Sequence, residues 1–251
     1  MKRLIVILWV MVLWVGCEQK PEPYFEPSSS IRFKYKMTNA VIPVEIKTID
    51  FSFGYVPEEQ LLDTILLEVT STGPLSEHGR VYKVEVVDTG TIITGQTTMV
   101  AGKDYLPIAG EQTFRGGLWI DTLLVVVSRE YIDPSFTKKE TKSLILRLGV
   151  NDDFEKTVEG MNEIQITVNN YLGEPAWWGL RELNFYHPEK YKILMTFQPL
   201  LKNPDKLEIT TLELGTLAGV LATYLDENVV LDPETGERIF VDRMEVYPPV
   251  E

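Results

Sequence analysis

Ser143-Leu144-Ile145-Leu146-Arg147-Leu148-Gly149-Val150 sets Leu144, Leu146, Leu148 and Val150 at alternate positions. That is the period of a strand with one face in a core. The same grain recurs upstream. Ile31-Arg32-Phe33-Lys34-Tyr35 and Tyr82-Lys83-Val84-Glu85-Val86 alternate apolar with polar, and residues 61–69 carry Ile65, Leu67 and Val69 on one face. Leu123-Leu124-Val125-Val126-Val127 is continuously apolar, which predicts a strand buried on both faces. Turn clusters lie between these runs: Ser71-Thr72-Gly73-Pro74, Asp88-Thr89-Gly90, Ala101-Gly102-Lys103-Asp104 and Gly116-Gly117. Short strands spaced by such turns predict an immunoglobulin-like antiparallel β-sandwich over residues 31–151.

Residues 152–251 have a mixed pattern, and a smaller α+β region is expected there. Trp177-Trp178 follows Gly173-Glu174-Pro175 and is placed to anchor a small core, with at least one indole partly exposed. A helix is expected from Asn203 as cap with Pro204 in its first turn. Leu214, Leu217, Leu221 and Tyr224 continue it at three- and four-residue spacing. Gly215 and Gly219 weaken it, each by about 1 kcal/mol relative to Ala. Asp232-Pro233-Glu234-Thr235-Gly236 between two apolar runs reads as a hairpin turn.

The other end of the chain bears on location. Lys2-Arg3 precedes an unbroken apolar run over residues 4–15, shorter than the roughly 20 residues a spanning helix needs. It matches a secretory signal peptide over residues 1–16. Gly16-Cys17 follows, and this cysteine is the chain's only one. The arrangement resembles a bacterial lipoprotein signal, which implies acylation of Cys17 and lipid anchoring through it. Residues 17–30, with Pro21, Pro23, Pro27 and Ser28-Ser29-Ser30, read as the acylated Cys and an extended tether. The charged stretch Glu18-Gln19-Lys20-Pro21-Glu22 is similar to signals that carry lipoproteins to the cell surface. The expected location is therefore the outer membrane facing the exterior, with a periplasm-facing anchor as the alternative.

Composition narrows the function classes. With 44% hydrophobic and 24% charged residues the chain is globular, and 24 Lys+Arg against 37 Asp+Glu gives a net charge of −13. Removing the leader takes Lys2 and Arg3 with it and makes the balance more acidic still. An acidic body does not bind nucleic acid by counterion release, and it is not drawn electrostatically to an anionic bilayer. One Cys and two His exclude a disulfide framework, a CxxC site and a His-rich metal centre.

Several stretches together carry a family resemblance: Phe51-Ser52-Phe53-Gly54-Tyr55, Asp63-Thr64-Ile65, and Gly79-Arg80-Val81-Tyr82-Lys83-Val84-Glu85-Val86. Ala101-Gly102-Lys103-Asp104-Tyr105, the 144–151 strand with Phe154, and Trp177-Trp178 continue it. In this order after a lipoprotein leader they resemble Bacteroidetes surface lipoproteins of the domain-of-unknown-function family 4843. The resemblance spans nearly all of the chain beyond the tether. It implies an accessory binding protein that acts beside a TonB-dependent porin and a starch-utilisation-type binding lipoprotein in glycan or peptide capture. It implies no catalytic residue.

Site chemistry read from residues alone is sparse. A nucleophilic hydrolase needs a base, and only His78 and His187 could serve; both fall in predicted loops, and no Gly-x-Ser-x-Gly elbow is present. Neither a Walker loop nor a Gly-x-Gly-x-x-Gly turn occurs. Asp152-Asp153 is the sharpest acidic cluster, read first as a turn and second as a Ca²⁺ site. Trp119, Trp177, Trp178, Tyr105 and Tyr131 lie near predicted turns or strand ends, and Trp177 and Trp178 are the candidate sugar-stacking residues. No enzyme activity, cofactor or metal is expected. The competing readings are a glycoside hydrolase with an unrecognised carboxylate pair, and a structural or adhesive spacer.

Overall fold

The computed structural model describes residues 28–37, 45–87, 96–138, 140–202 and 209–241. The leader, Cys17, most of the tether, the Asp88-Thr89-Gly90 turn and Asn203-Pro204 lie outside the described residues. In chain order the strands are β1 (Ser30–Phe33), β2 (Lys36–Met37), β3 (Glu45–Ile46), β4 (Thr48–Ser52), β5 (Leu62–Thr72) and β6 (Arg80–Val86). They continue as β7 (Gln96–Thr98), β8 (Glu111–Phe114), β9 (Ile120–Ser128), β10 (Thr141–Gly149), β11 (Lys156–Thr157) and β12 (Glu163–Asn169).

Two sheets enclose one core. The first runs β11-β1-β5-β9; the second runs β4-β12-β10-β6-β8, with β7 beside β10, while β2 and β3 form a separate pair. Alternation decides which side chains enter. Ile65, Leu67 and Val69 of β5 meet Leu144, Leu146 and Leu148 of β10 and Ile164, Ile166 and Val168 of β12 in a single buried cluster. Burying such a side chain contributes about 1.5–3 kcal/mol. The sheets are mainly antiparallel, as expected, with parallel pairs where β11 joins β1, β7 joins β10 and β4 joins β12.

Three expectations change. The sandwich does not end at residue 151: β11 and β12 belong to its sheets, so the boundary falls after Asn169. The Asn151–Phe154 turn only reverses the chain, with Asn151 and Phe154 bonded across it. Residues 123–127 are not buried on both faces. Leu123, Val125 and Val127 point into the core, but Leu124 is 58% exposed and pairs across the strands with Leu66, itself 63% exposed. Among the described residues no layer covers that outer face, and the aliphatic run reflects strand propensity rather than double burial. The later helix spans Thr211–Glu227 and is capped by Thr210, whose hydroxyl accepts from the Glu213 N–H in a capping box.

Beyond Asn169 the chain builds a helical lobe on its own core. Tyr191, Leu194, Leu201, Leu221 and Leu225 are buried there with Trp178. The helix Pro188–Phe197 is capped by His187, whose Nδ1 accepts from the Glu189 N–H at 3.1 Å, with Pro188 opening the first turn. The expected hairpin forms, with Leu231 and Arg238 bridged antiparallel, and Arg238 donates to the Leu225 carbonyl at 3.0 Å. No helix among the described residues is long and apolar enough to cross a membrane.

Candidate binding groove

Four segments far apart in sequence meet where the sandwich and the helical lobe touch. They are the Glu58 turn, the 133–138 loop between β9 and β10, the start of the Pro188–Phe197 helix, and the 231–234 hairpin. They enclose a groove of about 510 Å³, within the usual size of small-ligand sites.

Each wall is fixed by local chemistry. Asp133 accepts from the Ser135 N–H at 2.9 Å, which curls the loop, and its own N–H donates to Glu140 at 2.9 Å. Ser135 and Thr137 both donate hydroxyl protons to Glu234, tying the loop to the hairpin at 2.8 and 2.5 Å. Lys192 closes the third side: its ammonium pairs with Glu58 and, at 2.8 Å, with Glu189, and it lies 3.7 Å over the Phe136 ring. Such a contact is an electrostatic attraction between the cation and the electron-rich ring face. His187 Nε2 faces Asp232 at 3.5 Å.

The electrostatics are those of settled charges. The Glu234 N–H, with further bonds from Thr235 and His187, holds the Asp232 carboxyl below its ordinary range. The Thr137 and Ser135 hydroxyls do the same for Glu234. A general acid for glycoside hydrolysis needs the opposite shift. Ser135, the groove's serine, faces Glu234 rather than His187, so these contacts assemble no Ser–His pair.

The aromatic candidates scatter. Trp178 is 7% exposed, stacks edge-on with Tyr186 at 5.0 Å and donates its indole N–H to the Asn184 carbonyl at 2.9 Å. Trp177 is half-buried, 5.5 Å from the Tyr191 ring. Both therefore serve the lobe's core, and neither lines the groove. Trp119 is half-exposed at the β8–β9 tip, Tyr105 is buried, and Tyr131 is exposed under Lys103 at 4.7 Å. His78 is exposed in its turn. Asp153 accepts from the Val81 N–H at 2.6 Å and secures a turn. Among the described residues no group of three or more His, Cys, Asp or Glu is arranged to hold a metal.

Sequence reasoning missed the groove because no one segment holds it. The available signals were local: Asp133-Pro134-Ser135 as an Asx turn, and His187-Pro188-Glu189 as a helix start.

A β-sandwich carrying a helical lobe, with a polar groove at their junction, is the class of protein that these features define. The chain belongs to the family described as Domain of unknown function (DUF4843), whose model matches residues 28–198. Comparison with curated proteins returned no match. Among solved structures the chain is similar to a candidate carbohydrate-binding protein from Bacteroides ovatus, with 15% identity and a TM-score of 0.38 over 57% of this chain and 37% of that one. It is also similar to the apo form of the Calx CBD1 domain, with 16% identity and a TM-score of 0.34 over 57% of this chain and 97% of that one. A two-domain protein of unknown function from Bacteroides fragilis matches at 7% identity and a TM-score of 0.36, over 57% and 46% of the respective chains. The chain thus spans well under half the length of the first of these.

Proposed function

We propose that this protein is a lipid-anchored outer-membrane protein that binds a glycan or peptide in the junction groove without converting it. In this reading it is an accessory component of a TonB-dependent nutrient capture system. The observation that carries it is a groove whose walls are cross-braced and whose Asp232 and Glu234 carboxyls are held below their ordinary range by hydroxyl and backbone donors. Preorganised polar walls favour binding, because little ordering cost remains when ligand arrives. The leader and Cys17 supply the anchor in this reading, and the porin and starch-utilisation-type binding lipoprotein are its partners.

The test uses full-length protein in detergent on glycan and peptide arrays, beside Leu231→Trp. Leu231 is half-exposed and lines the groove, so the indole fills it while leaving the hydrogen bonds in place. Binding by the wild type and its loss in Leu231→Trp are expected; equal binding by both sinks the groove. Cys17→Ser should move the protein from the membrane fraction to the soluble one. Affinity capture from solubilised outer membranes should bring down a porin, and recovery of this chain alone would count against the partnership.

A further inference from the structure

His187 is engaged at both ring nitrogens, and each contact leads to a different wall of the junction groove. Nδ1 accepts from the Glu189 N–H at 3.1 Å and so caps the Pro188–Phe197 helix. An accepting ring nitrogen carries no hydrogen, so the neutral ring holds its one proton on Nε2. Nε2 faces Asp232 Oδ2 at 3.5 Å, on the hairpin that closes the groove. The other carboxylate oxygen of Asp232 accepts from the Glu234 N–H at 2.7 Å, which fixes the side chain within its turn. One neutral imidazole therefore ties the start of the helix to the hairpin.

The arrangement holds for one protonation state only. Adding a proton makes both ring nitrogens donors. Nδ1–H then meets the Glu189 N–H, hydrogen against hydrogen, and the cap is lost. The positive end of the helix, where His187 stands, opposes a cation as well. The Nε2 side behaves in the opposite way, because an imidazolium forms an ion pair with Asp232. The Glu234 N–H, with further bonds from Thr235 and His187, holds that carboxyl below its ordinary range, so it stays an anion while the ring takes its proton. Imidazole is the side chain that ordinarily changes charge between about pH 5 and 8. The other charged groups around the groove are Glu234 on the hairpin, Asp133 and Lys138 on the loop, Glu58 on its turn, and Glu189 and Lys192 on the helix. Glu58 and Glu189 are paired with Lys192, and Glu234 is bonded by Ser135 and Thr137. Asp232 is thus the ring's ion partner among the described residues.

We propose that His187 is a pH-sensitive latch of the groove: neutral, it holds helix and hairpin together, and protonated, it lets go of the helix and keeps the hairpin. Its regulatory meaning rests on the reading of the groove as a ligand site, whereas the latch itself does not. In a mildly acidic medium the wall at residues 187–189 loses its fixed end. The groove then gives up part of the preorganised shape that favours binding, so ligand is held near neutral pH and released on acidification.

The experiment is NMR on the full-length protein in detergent, with isotope-labelled histidine and amide exchange, at about pH 7.5 and about pH 5.5, on either side of the imidazole range. The chain has two histidines, so His187→Asn assigns the spectrum and the exposed His78 serves as reference. At the higher pH the His187 ring should show a bare Nδ1 and a protonated Nε2. At the lower pH, protection of the Glu189 amide, corrected for its intrinsic exchange rate, should fall about fivefold, the worth of one cap bond. Asn keeps a capping oxygen and does not titrate, so in His187→Asn the Glu189 amide should be equally protected at both pH values. A protonated Nδ1 at the higher pH, or wild-type protection of Glu189 that does not change with pH, overturns the latch. Glycan and peptide arrays repeated at both pH values read the groove itself. Binding that weakens on acidification in the wild type and holds steady in His187→Asn supports the regulation, and wild-type binding equal at both pH values overturns it. Silent arrays with the expected exchange result keep the latch and overturn the groove as a ligand site.

Discussion

Lys142 and Asp104 give the sharpest stability prediction, because both are buried and each depends on the other. Lys142 is the second residue of β10, and Asp104 sits in the turn before Tyr105. Their side chains are 8% and 3% exposed and meet at 2.8 Å. Lys142 also donates to the Tyr131 carbonyl, while the second Asp104 oxygen accepts from the Val100 N–H at 2.8 Å. Removing one partner of such a pair strands a buried charge and costs about 3–5 kcal/mol. Lys142→Met, which keeps most of the volume, should therefore lower Tm by about 6–20 °C, at roughly 2–4 °C per kcal/mol for a chain of this size. Asp104→Asn added to Lys142→Met removes the stranded charge while preserving an acceptor for Val100, so the double variant should regain part of the loss. Urea unfolding of wild type, both single variants and the double variant reads the coupling directly. A loss under about 1 kcal/mol for Lys142→Met, or strictly additive effects in the double variant, would refute the reasoning.

Gly116→Ala should destabilise by at least about 1–3 kcal/mol, the usual cost of overpacking. Its new Cβ would come within 2.2 Å of the Glu77 carbonyl oxygen, a backbone atom that cannot swing away; a melting temperature equal to wild type would contradict that close approach. Asp121 is pushed up by burial, but the Arg115 side chain and the Arg115 and Thr122 N–H groups outweigh this and hold it below its ordinary value. A carboxyl with a depressed folded-state pKa adds stability above its unfolded value, and that stability is lost as the pH falls through the folded value. Asp121→Asn should accordingly be less stable at about pH 7, with the gap to wild type closing below about pH 4; a gap that stays unchanged in urea midpoints between those two conditions would exclude this. Thr210→Ala should cost about 1 kcal/mol through loss of the helix cap, seen as a lower urea midpoint, whereas Thr210→Asn, which keeps a capping oxygen, should stay close to wild type.

Strand positions were legible wherever one face is buried, because alternation then records the core directly. Leu144, Leu146 and Leu148 are all inside, as are Ile65, Leu67 and Val69. Val150 continues the pattern in sequence but lies past the end of β10 and is 53% exposed. β12 carries a readable Ile164-Gln165-Ile166-Thr167-Val168 alternation, yet the Asn151-Asp152-Asp153 turn resembles a domain end as much as a hairpin. What separates the two is a long-range pairing, Leu144 with Ile166, that no local window contains. The helix start had a local signal in Thr210-Thr211-Leu212-Glu213. Asn203-Pro204 carries a start signal a few residues earlier, which drew the expected start away from the Thr210–Glu213 box. Adjacent tryptophans marked a core correctly, but a sequence cannot tell an indole that stacks on Tyr186 from one that stacks on a sugar.

Three walls of the groove lie within the matched span of 28–198. The fourth wall, residues 231–234, comes from beyond it and is held by Glu234 bonding to Ser135 and Thr137, and by Arg238 bonding to the lobe. A groove closed by such a hairpin depends on one more contact surface than the core beneath it. Ser135→Ala with Thr137→Ala cuts that surface and leaves both buried clusters untouched. Ligand affinity on the arrays should then fall while the melting temperature stays close to wild type, because both hydroxyl bonds lie at the surface. Affinity equal to wild type would mean that the hairpin does not shape the site.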